Sequence, residues 1–347
     1  MLEPLPPLSR WNPAGSPVGC VHIVHGMAEH RGRYAAFASR LASAGYVVWA
    51  HDHRGHGTNV RLGKGHFADG DGWRALVHDT ITVTRRLAVE YPSTPVFLFG
   101  HSMGSFSGQT LMSERAVDYA GVVLAGSNGP ATASHCLAMV LAMFERRFRG
   151  RREQSRWLNA LLRRTYNRQF QPARAPADWL TRDEREVDAA LADALCGIRL
   201  TTQSWVDFAR GLLALDAPRR FTRVPKSLPI LILSGARDPV GQNRRGAARL
   251  ARGLERSGAL DVTLRLYPLA PHELVNETNR DEVTRDVIDC LNARSSHRGV
   301  GIDGSSKTRE AGCTDISGAF RLDGHAVSPA GVPRAVLSEQ VLRGRVT

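Results

Sequence analysis

Several features that would assign the chain to other classes of protein are scarce or missing. The 347 residues include five cysteines, which are odd in number, widely spaced and without a C-x-x-C pair. This usage predicts free thiols in a reducing compartment and no structural zinc site. No apolar run reaches the roughly 18–20 residues that span a bilayer. The first 17 residues are rich in proline and lack the basic and apolar regions of a secretory signal, so we predict a cytoplasmic protein.

Negative charge and lysine are also in short supply. The formal net charge is +13, and arginine supplies nearly all of the positive charge because only Lys64, Lys226 and Lys307 are lysines. The basic residues form no stripe interleaved with aromatic residues, and no nucleic-acid motif is present, so we predict no nucleic-acid partner. Attraction to anionic lipid headgroups and an arginine-biased composition remain as explanations of the charge. The sequence leaves the oligomeric state open.

Short apolar runs alternate with helical patterns along much of the chain. Such runs occupy residues 18–24, 96–99 and 121–125, and the same pattern returns at residues 229–233 and 262–267. Strands that are apolar on both faces and alternate with helices are typical of a parallel sheet covered on two sides. The sequence therefore predicts an α/β fold with a mostly parallel sheet and helices on both faces.

The composition divides the chain into four parts. An arginine-rich stretch without strand signals separates the two groups of strands, which predicts a helical insertion. After residue 292 the periodicity is lost and Gly, Ser and Arg dominate, which predicts a disordered tail. The predicted parts are an N-terminal extension at 1–17, a core at 18–130 and 218–292, a helical cap at 131–217 and a tail at 293–347.

A serine lies at the turn between a predicted strand and a predicted helix. Residues 100–104 read Gly-His-Ser-Met-Gly and directly follow the strand at residues 96–99. This is the G-x-S-x-G nucleophile elbow in the strand–turn–helix context that it requires. Because Gly100 and Gly104 allow a sharp turn and a close approach of strand and helix, Ser102 is the predicted nucleophile.

Two later residues are placed to activate this serine. A serine of ordinary pKa needs a base and an acid that orients the base. With this elbow, the acid and then the histidine follow later strands of the sheet. Asp238 comes just after the strand at residues 229–233, and His272 just after the strand at residues 262–267. After the insertion, no other aspartate or histidine lies just past the end of a predicted strand in the order acid, then histidine. Asp238 and His272 are therefore the predicted partners.

Two backbone amides are predicted to form the oxyanion hole. One is the N–H of Met103, which follows the nucleophile and begins a helix, where the helix dipole favours negative charge. The other comes from the loop after the first core strand. In that loop Met27 is the predicted donor and Gly26 permits the turn.

A cluster of histidines invites a metal interpretation. His51, His53 and His56 stand beside Asp52 within one short segment. Their tight spacing and the interleaved arginine and glycine residues favour a structured turn instead. We therefore predict no metal, and hydrolysis by a serine requires no cofactor.

Together these segments resemble one branch of the α/β-hydrolases. Residues 25–30 (HGMAEH), 50–57 (AHDHRGHG), 100–105 (GHSMGS), 235–240 (GARDPV) and 271–273 (PHE) are similar to the monoacylglycerol lipases and bacterial lysophospholipases, often labelled serine aminopeptidase S33-like. The resemblance runs from about residue 18 to residue 292. It implies the α/β-hydrolase fold and the same site residues as the spacing argument.

The resemblance also implies an activity, with alternatives. The implied activity is hydrolysis of a carboxylic ester in a lipid monoester, either a monoacylglycerol or a lysophospholipid. A small-ester esterase or peptidase of the same fold and a non-catalytic binding protein are the alternatives. The apolar segment at residues 136–144 is followed by three arginines. As a cap helix it would line an acyl tunnel, contact a membrane peripherally, or pack within the cap.

Overall fold

In the part of the chain that the structure describes, the sheet has seven strands, six of them parallel to one another. The computed structural model describes residues 4–115, 117–217 and 219–295. The strands are β1 (Leu8–Trp11), β2 (Gly19–Val24), β3 (Tyr46–His51), β4 (Val96–His101), β5 (Gly121–Ala125), β6 (Ile230–Gly235) and β7 (Val262–Tyr267). Their order across the sheet is β1-β3-β2-β4-β5-β6-β7, and only β1 runs antiparallel to its neighbour. The predicted mostly parallel α/β architecture is confirmed.

Helices cover both faces of this sheet. They are α1 (Ala35–Ser43), α2 (Gly72–Glu90), α3 (Met103–Glu114), α4 (Thr132–Arg149), α5 (Arg156–Asn167), α6 (Glu184–Ala192), α7 (Thr202–Leu215), α8 (Arg245–Arg256) and α9 (Arg280–Ser295). Successive strand side chains point to opposite faces, so Leu98 packs in one core with α2, α3 and α8, whereas Phe97 and Phe99 pack in a second core with α1 and α9. The double burial explains why the strand sequences are almost wholly apolar.

Between β5 and β6 the described residues form helices α4 to α7. Three of these helices begin at a side chain that accepts a hydrogen bond from a backbone N–H of the first turn, namely Ser155, Asp183 and Thr201. The described residues between α7 and β6 include one short 3-10 helix, Arg220–Arg223, and no strand. We keep the division into core and cap at residues 131–217 as a proposal.

Two features at the chain ends were not expected from the sequence. The residues assigned to an extension include β1, which pairs with β3 at the edge of the sheet. Helix α9 continues to Ser295, beyond the predicted end of the core. The remainder of the predicted tail, residues 296–347, lies outside the described residues. Among the helices described, none is both long enough and apolar enough to cross a membrane.

Candidate active site

Ser102 lies at a strained turn between β4 and α3. Its backbone angles are φ 52° and ψ −118°, a region that residues with a side chain rarely adopt. A Cβ on Gly104 would lie 2.0 Å from the Val24 carbonyl oxygen, and one on Gly100 would lie 2.6 Å from the Gly104 carbonyl oxygen. Both glycines are therefore required by the close approach of α3 to the sheet, as the elbow pattern predicts.

Asp238 and His272 meet at the carboxyl ends of neighbouring strands. Asp238 follows β6 and His272 follows β7, and both side chains are buried. The distance from His272 Nδ1 to Asp238 Oδ1 is 2.9 Å. The Val240 N–H donates to the same carboxylate oxygen at 2.9 Å, which fixes the carboxylate in place. Because the carboxylate accepts from Nδ1–H, the other imidazole nitrogen of His272 is left to accept a proton.

Ser102 and His272 line the same pocket. The imidazole packs against the ring of His101, the residue before the serine, at 4.7 Å between ring centroids, and against Trp179 from the cap at 5.1 Å. Among the described residues, no hydrogen bond joins the Ser102 hydroxyl to the imidazole. Such bonds are often long in free enzymes and tighten with substrate bound. The arrangement brings all three predicted residues to one end of the sheet.

The two predicted oxyanion donors also line this pocket. Met103 is the first residue of α3, and Met27 follows the end of β2. A Cβ on Gly26 would lie 3.1 Å from Ser102 Cβ, so the loop after β2 passes directly beside the nucleophile. No group in the described parts of the chain accepts a hydrogen bond from either methionine amide. Both amides are therefore available to an oxygen of a bound substrate.

A buried ionic network behind the serine was not found from the sequence. The Glu29 carboxylate oxygen Oε1 accepts hydrogen bonds from Tyr34 Oη at 2.8 Å, from His101 Nδ1 at 3.1 Å and from the Gly26 N–H. Burial alone would raise the pKa of Glu29, but the hydrogen bond and charge of His101 outweigh it and lower that pKa well below its usual range. Burial likewise opposes protonation of His101, yet the hydrogen bond and charge of Glu29 raise its pKa.

The network continues to the loop that carries the base. Arg33 lies 3.7 Å from Glu29 Oε2 and donates a hydrogen bond to Glu273, the residue after His272. The Leu180 carbonyl in the cap accepts hydrogen bonds from the backbone N–H groups of His272 and Glu273, at 3.1 Å and 2.6 Å. Glu29 and Glu273 belong to the family-like segments of the sequence, but no spacing rule assigned them a role.

The histidine cluster forms a hydrogen-bonded turn. Asp52 is buried, accepts from the Thr58 N–H at 2.9 Å and pairs with Arg31. His51 Nδ1 lies 2.9 Å from His22 Nε2, a contact between imidazoles. Burial lowers the pKa of His51 well below its usual value. These contacts agree with the structured turn that the spacing favours.

One other group of residues has the side chains of a metal site. Ligand atoms of His30, Asp193 and Cys196 lie within 4.8 Å of one another. However, His30 Nδ1 accepts a hydrogen bond from the Gly32 N–H at 3.2 Å, so the ring proton is on Nε2, which donates to Asp193 at 2.7 Å. Since a metal needs the lone pair of Nε2, this tautomer favours a hydrogen bond from His30 to the Asp193 carboxylate over a metal centre.

The pocket in front of Ser102 is lined mainly by apolar side chains. Several come from the cap, and the apolar lining includes Phe106, Leu162, Trp179, Leu191, Ile198 and Phe208. In the described part of the chain, no residue of α4 lines it, which argues against the acyl-tunnel alternative for residues 136–144. The reason is orientation, because most of the large apolar side chains of that segment face away from the core: Leu137, Val140, Met143 and Phe144 are exposed.

Comparison with known proteins identifies the family. A family model described as serine aminopeptidase, S33, matches residues 15–279. The monoglyceride lipase of Rattus norvegicus is 30% identical over 290 residues, which are 83% of this chain and 86% of that protein. A monoacylglycerol lipase of Mycolicibacterium smegmatis is 29% identical over 284 residues, covering 81% of this chain and 90% of the relative.

A solved structure agrees with these relatives. The thermostable carboxyl esterase from Bacillus coagulans, crystallised in complex with glycerol, is similar with a TM-score of 0.77 and 26% identity over 83% of this chain and 94% of that one. The matched segment spans strands β2 to β7, the elbow and the helices between β5 and β6. The chain therefore belongs to the serine aminopeptidase S33 family of α/β-hydrolases and is a carboxylic ester hydrolase.

Proposed function

We propose that the protein hydrolyses the ester bond of a lipid monoester, a monoacylglycerol or a lysophospholipid, through an acyl-enzyme on Ser102. The observation that carries this proposal is an apolar pocket that opens onto the nucleophile elbow. Burial of each acyl methylene contributes about 0.8 kcal/mol, so such a pocket binds a fatty acyl chain without polar contacts. The relatives named monoglyceride lipase and monoacylglycerol lipase support the same substrate class.

The proposed mechanism assigns one role to each residue. Ser102 Oγ attacks the ester carbonyl carbon while His272 Nε2 takes its proton, and Asp238 stabilises the imidazolium. The amides of Met27 and Met103 donate to the oxyanion that forms. The carbon–oxygen bond to the alcohol then breaks, and His272 returns the proton to the departing alkoxide. Water attacks the acyl-enzyme by the same route and releases the fatty acid and the free serine.

The dependence of activity on acyl-chain length tests the substrate class. We expect kcat/KM for p-nitrophenyl esters to rise at least about tenfold from acetyl to decanoyl, because a few buried methylenes supply more than the about 1.4 kcal/mol that a factor of ten requires. Monoacylglycerols and lysophospholipids of one chain length, measured beside these esters and a peptide substrate, identify the headgroup. Highest activity toward acetyl esters or peptides would favour the small-ester esterase or the peptidase.

We also propose that the cap contacts a lipid surface peripherally. On α4, Phe144 and Phe148 are 65% and 71% exposed, and their rings lie 4.6 Å apart. Trp157 at the start of α5 is 50% exposed and shares a surface groove with them. Arg149 lines the same groove, and five more arginines are close to it in the sequence, namely Arg146, Arg147, Arg151, Arg152 and Arg156. Exposed aromatic side chains within a basic surface suit an anionic bilayer.

Vesicle sedimentation tests this contact. We expect the protein to sediment with vesicles that contain phosphatidylglycerol and much less with pure phosphatidylcholine, because each arginine near an anionic surface contributes about 1 kcal/mol. Phe144→Ser combined with Phe148→Ser should weaken binding at least about tenfold, since two apolar side chains are lost from the contact. Leu260→Ser is the matched control, because Leu260 is exposed at the opposite end of the sheet. Equal losses in both variants would contradict a contact through the cap.

A further inference from the structure

We propose that Glu29 is a positioning residue that holds the oxyanion loop against the nucleophile elbow. The inference rests on the proposed role of Ser102 and adds a residue to it. Glu29 lies in the turn after β2, within two residues of the proposed donor Met27. Its side chain is almost fully buried, and its carboxylate is directed toward the elbow and away from solvent.

A single oxygen of Glu29 joins three segments of the site. Oε1 accepts from the Gly26 N–H in the oxyanion loop, from Tyr34 Oη at the start of α1 and from His101 Nδ1 in the elbow. Tyr34 Oη also lies 2.9 Å from His101 Nδ1, which closes the group of contacts. Hydrogen bonds to a buried carboxylate are roughly twice as strong as those between neutral groups. The three segments are thus held together by one charged acceptor.

The space around Gly26 explains why this position matters for catalysis. A Cβ on Gly26 would meet Glu29 Oε1 at 2.5 Å, Ser102 Cβ at 3.1 Å and His101 Nδ1 at 3.2 Å. The loop is therefore packed between the carboxylate and the nucleophile. Since the Met27 N–H belongs to the next residue, a shift of Gly26 moves the donor relative to the oxyanion. Removing one oxyanion donor costs about 10²–10³-fold in kcat.

The other oxygen of Glu29 permits a conservative substitution. Oε2 accepts no hydrogen bond from any described residue, and its nearest cation is Arg33 at 3.7 Å. In Glu29→Gln, the amide oxygen can keep all three contacts of Oε1 while the amide nitrogen replaces Oε2. In Glu29→Asp, the charge remains but the side chain is one methylene shorter. The shorter side chain cannot bind the Gly26 N–H and His101 at the same time.

These variants separate the position of the acceptor from its charge. With p-nitrophenyl decanoate, we expect Glu29→Ala and Glu29→Asp to lower kcat about 100-fold with KM within about threefold of the parent value, as for loss of an oxyanion donor. Glu29→Gln should restore kcat to within about tenfold. If Glu29→Ala does not fold, Glu29→Asp measured against Glu29→Gln carries the test. Equal kcat in the aspartate and glutamine variants, or kcat within threefold of the parent in Glu29→Asp, would overturn the proposal.

A pair of inhibitors reports on the oxyanion hole itself. A decyl trifluoromethyl ketone forms a tetrahedral adduct with an oxyanion, whereas a decyl glycerol ether binds without one. In Glu29→Asp, the Ki of the ketone should rise by about the same factor as kcat falls, and the Ki of the ether should stay within about threefold. Equal weakening of both inhibitors would indicate general disruption of the pocket and overturn the positioning role.

Two controls distinguish a failure of the role of Glu29 from a failure of the proposed function. Glu145 in α4 is a buried glutamate with one hydrogen-bonded oxygen, and it lines no part of the pocket. Glu145→Gln should leave kcat unchanged, and a loss in it equal to that of Glu29→Asp would also overturn the proposal. Hydrolysis that persists in Ser102→Ala would refute the proposed nucleophile. Normal kcat in the Glu29 variants, with Ser102→Ala inactive, would refute only the role of Glu29.

Discussion

Replacing Ser102 with alanine should lower kcat for ester hydrolysis by about 10⁶-fold, because the nucleophile and the acyl-enzyme route are lost together. The same change should abolish covalent labelling by a fluorophosphonate probe, which reports on an activated serine whatever the substrate. His272→Ala should cost about as much, and the double variant no more than either, since the residues act as one unit. Steady-state kinetics and gel fluorescence are the two measurements.

Asp238→Asn should have a smaller effect, about 10⁴-fold in kcat, because the imidazole then adopts the wrong tautomer while the geometry is kept. Ser113→Ala is a matched control, since Ser113 is a buried serine on α3 whose hydroxyl donates within the helix, to the Gln109 carbonyl. It should retain labelling and kcat. A folded parent protein that no fluorophosphonate labels and that hydrolyses none of the esters would instead favour the non-catalytic binding protein.

The free energy of unfolding should fall steeply between about pH 7 and about pH 5. Five buried histidines lie between the sheet and the turn after β3. Burial lowers the pKa of His22 and of His56 to about 3 and also lowers the pKa values of His25, His51 and His53. In the unfolded chain their pKa values return to about 6.5, so below that pH the unfolded state binds more protons than the folded state.

The magnitude is large relative to the stability of a domain. For a histidine with a folded pKa of about 3, acidification to pH 5 lowers the free energy of unfolding by about 2 kcal/mol. Burial raises the pKa of Asp207 to about 6, and the raised pKa of His101 acts in the same direction, so these two groups oppose the trend. His22 and His56 alone then lower the free energy of unfolding by about 4 kcal/mol at pH 5, which is a large part of the about 5–15 kcal/mol of a typical domain, so we expect marked acid destabilisation near pH 5.

Urea unfolding followed by circular dichroism at several pH values measures this effect. His56→Gln should reduce the slope of unfolding free energy against pH by about one proton, because it removes one buried titrating group. Ser113→Ala, which removes a buried hydroxyl but no titrating group, is the control and should keep the slope. An unfolding free energy that is constant from about pH 7 to about pH 5 would contradict the prediction that these histidines are neutral in the folded protein.

The elements that the sequence predicts well are those that form for local reasons. At the turn around Ser102, Gly100 and Gly104 have no room for a Cβ, so both positions require glycine. This requirement is visible as a pattern of five residues. Strands buried on both faces require continuous apolar runs, so β2, β4, β5 and β6 were recognised from the sequence. Strand β1 was missed because it is a short edge strand, only partly buried, in a proline-rich segment.

The residues that the sequence left without a role depend on distant neighbours. Glu29 meets His101 across 72 positions of sequence, and Arg33 meets Glu273 across 240. No local rule marks a carboxylate that will be buried in this way, because burial is decided by the packing of β2 against β4. The exposure of Phe144 and Phe148 has the same origin, since an apolar helix gives no indication of which face its neighbours will cover.

The sequence by itself determined the α/β class, the elbow at Ser102 and the order in which an acid and a histidine follow it. These follow from short-range sterics and from the two-sided burial of parallel strands, both of which leave a mark on consecutive residues. Only the tertiary structure decided that Glu29 faces the elbow, that Phe144 and Phe148 face solvent and that Leu180 holds the loop of His272. Each of these depends on contacts between segments far apart in the chain, and such contacts arise only when the sheet has brought the segments together.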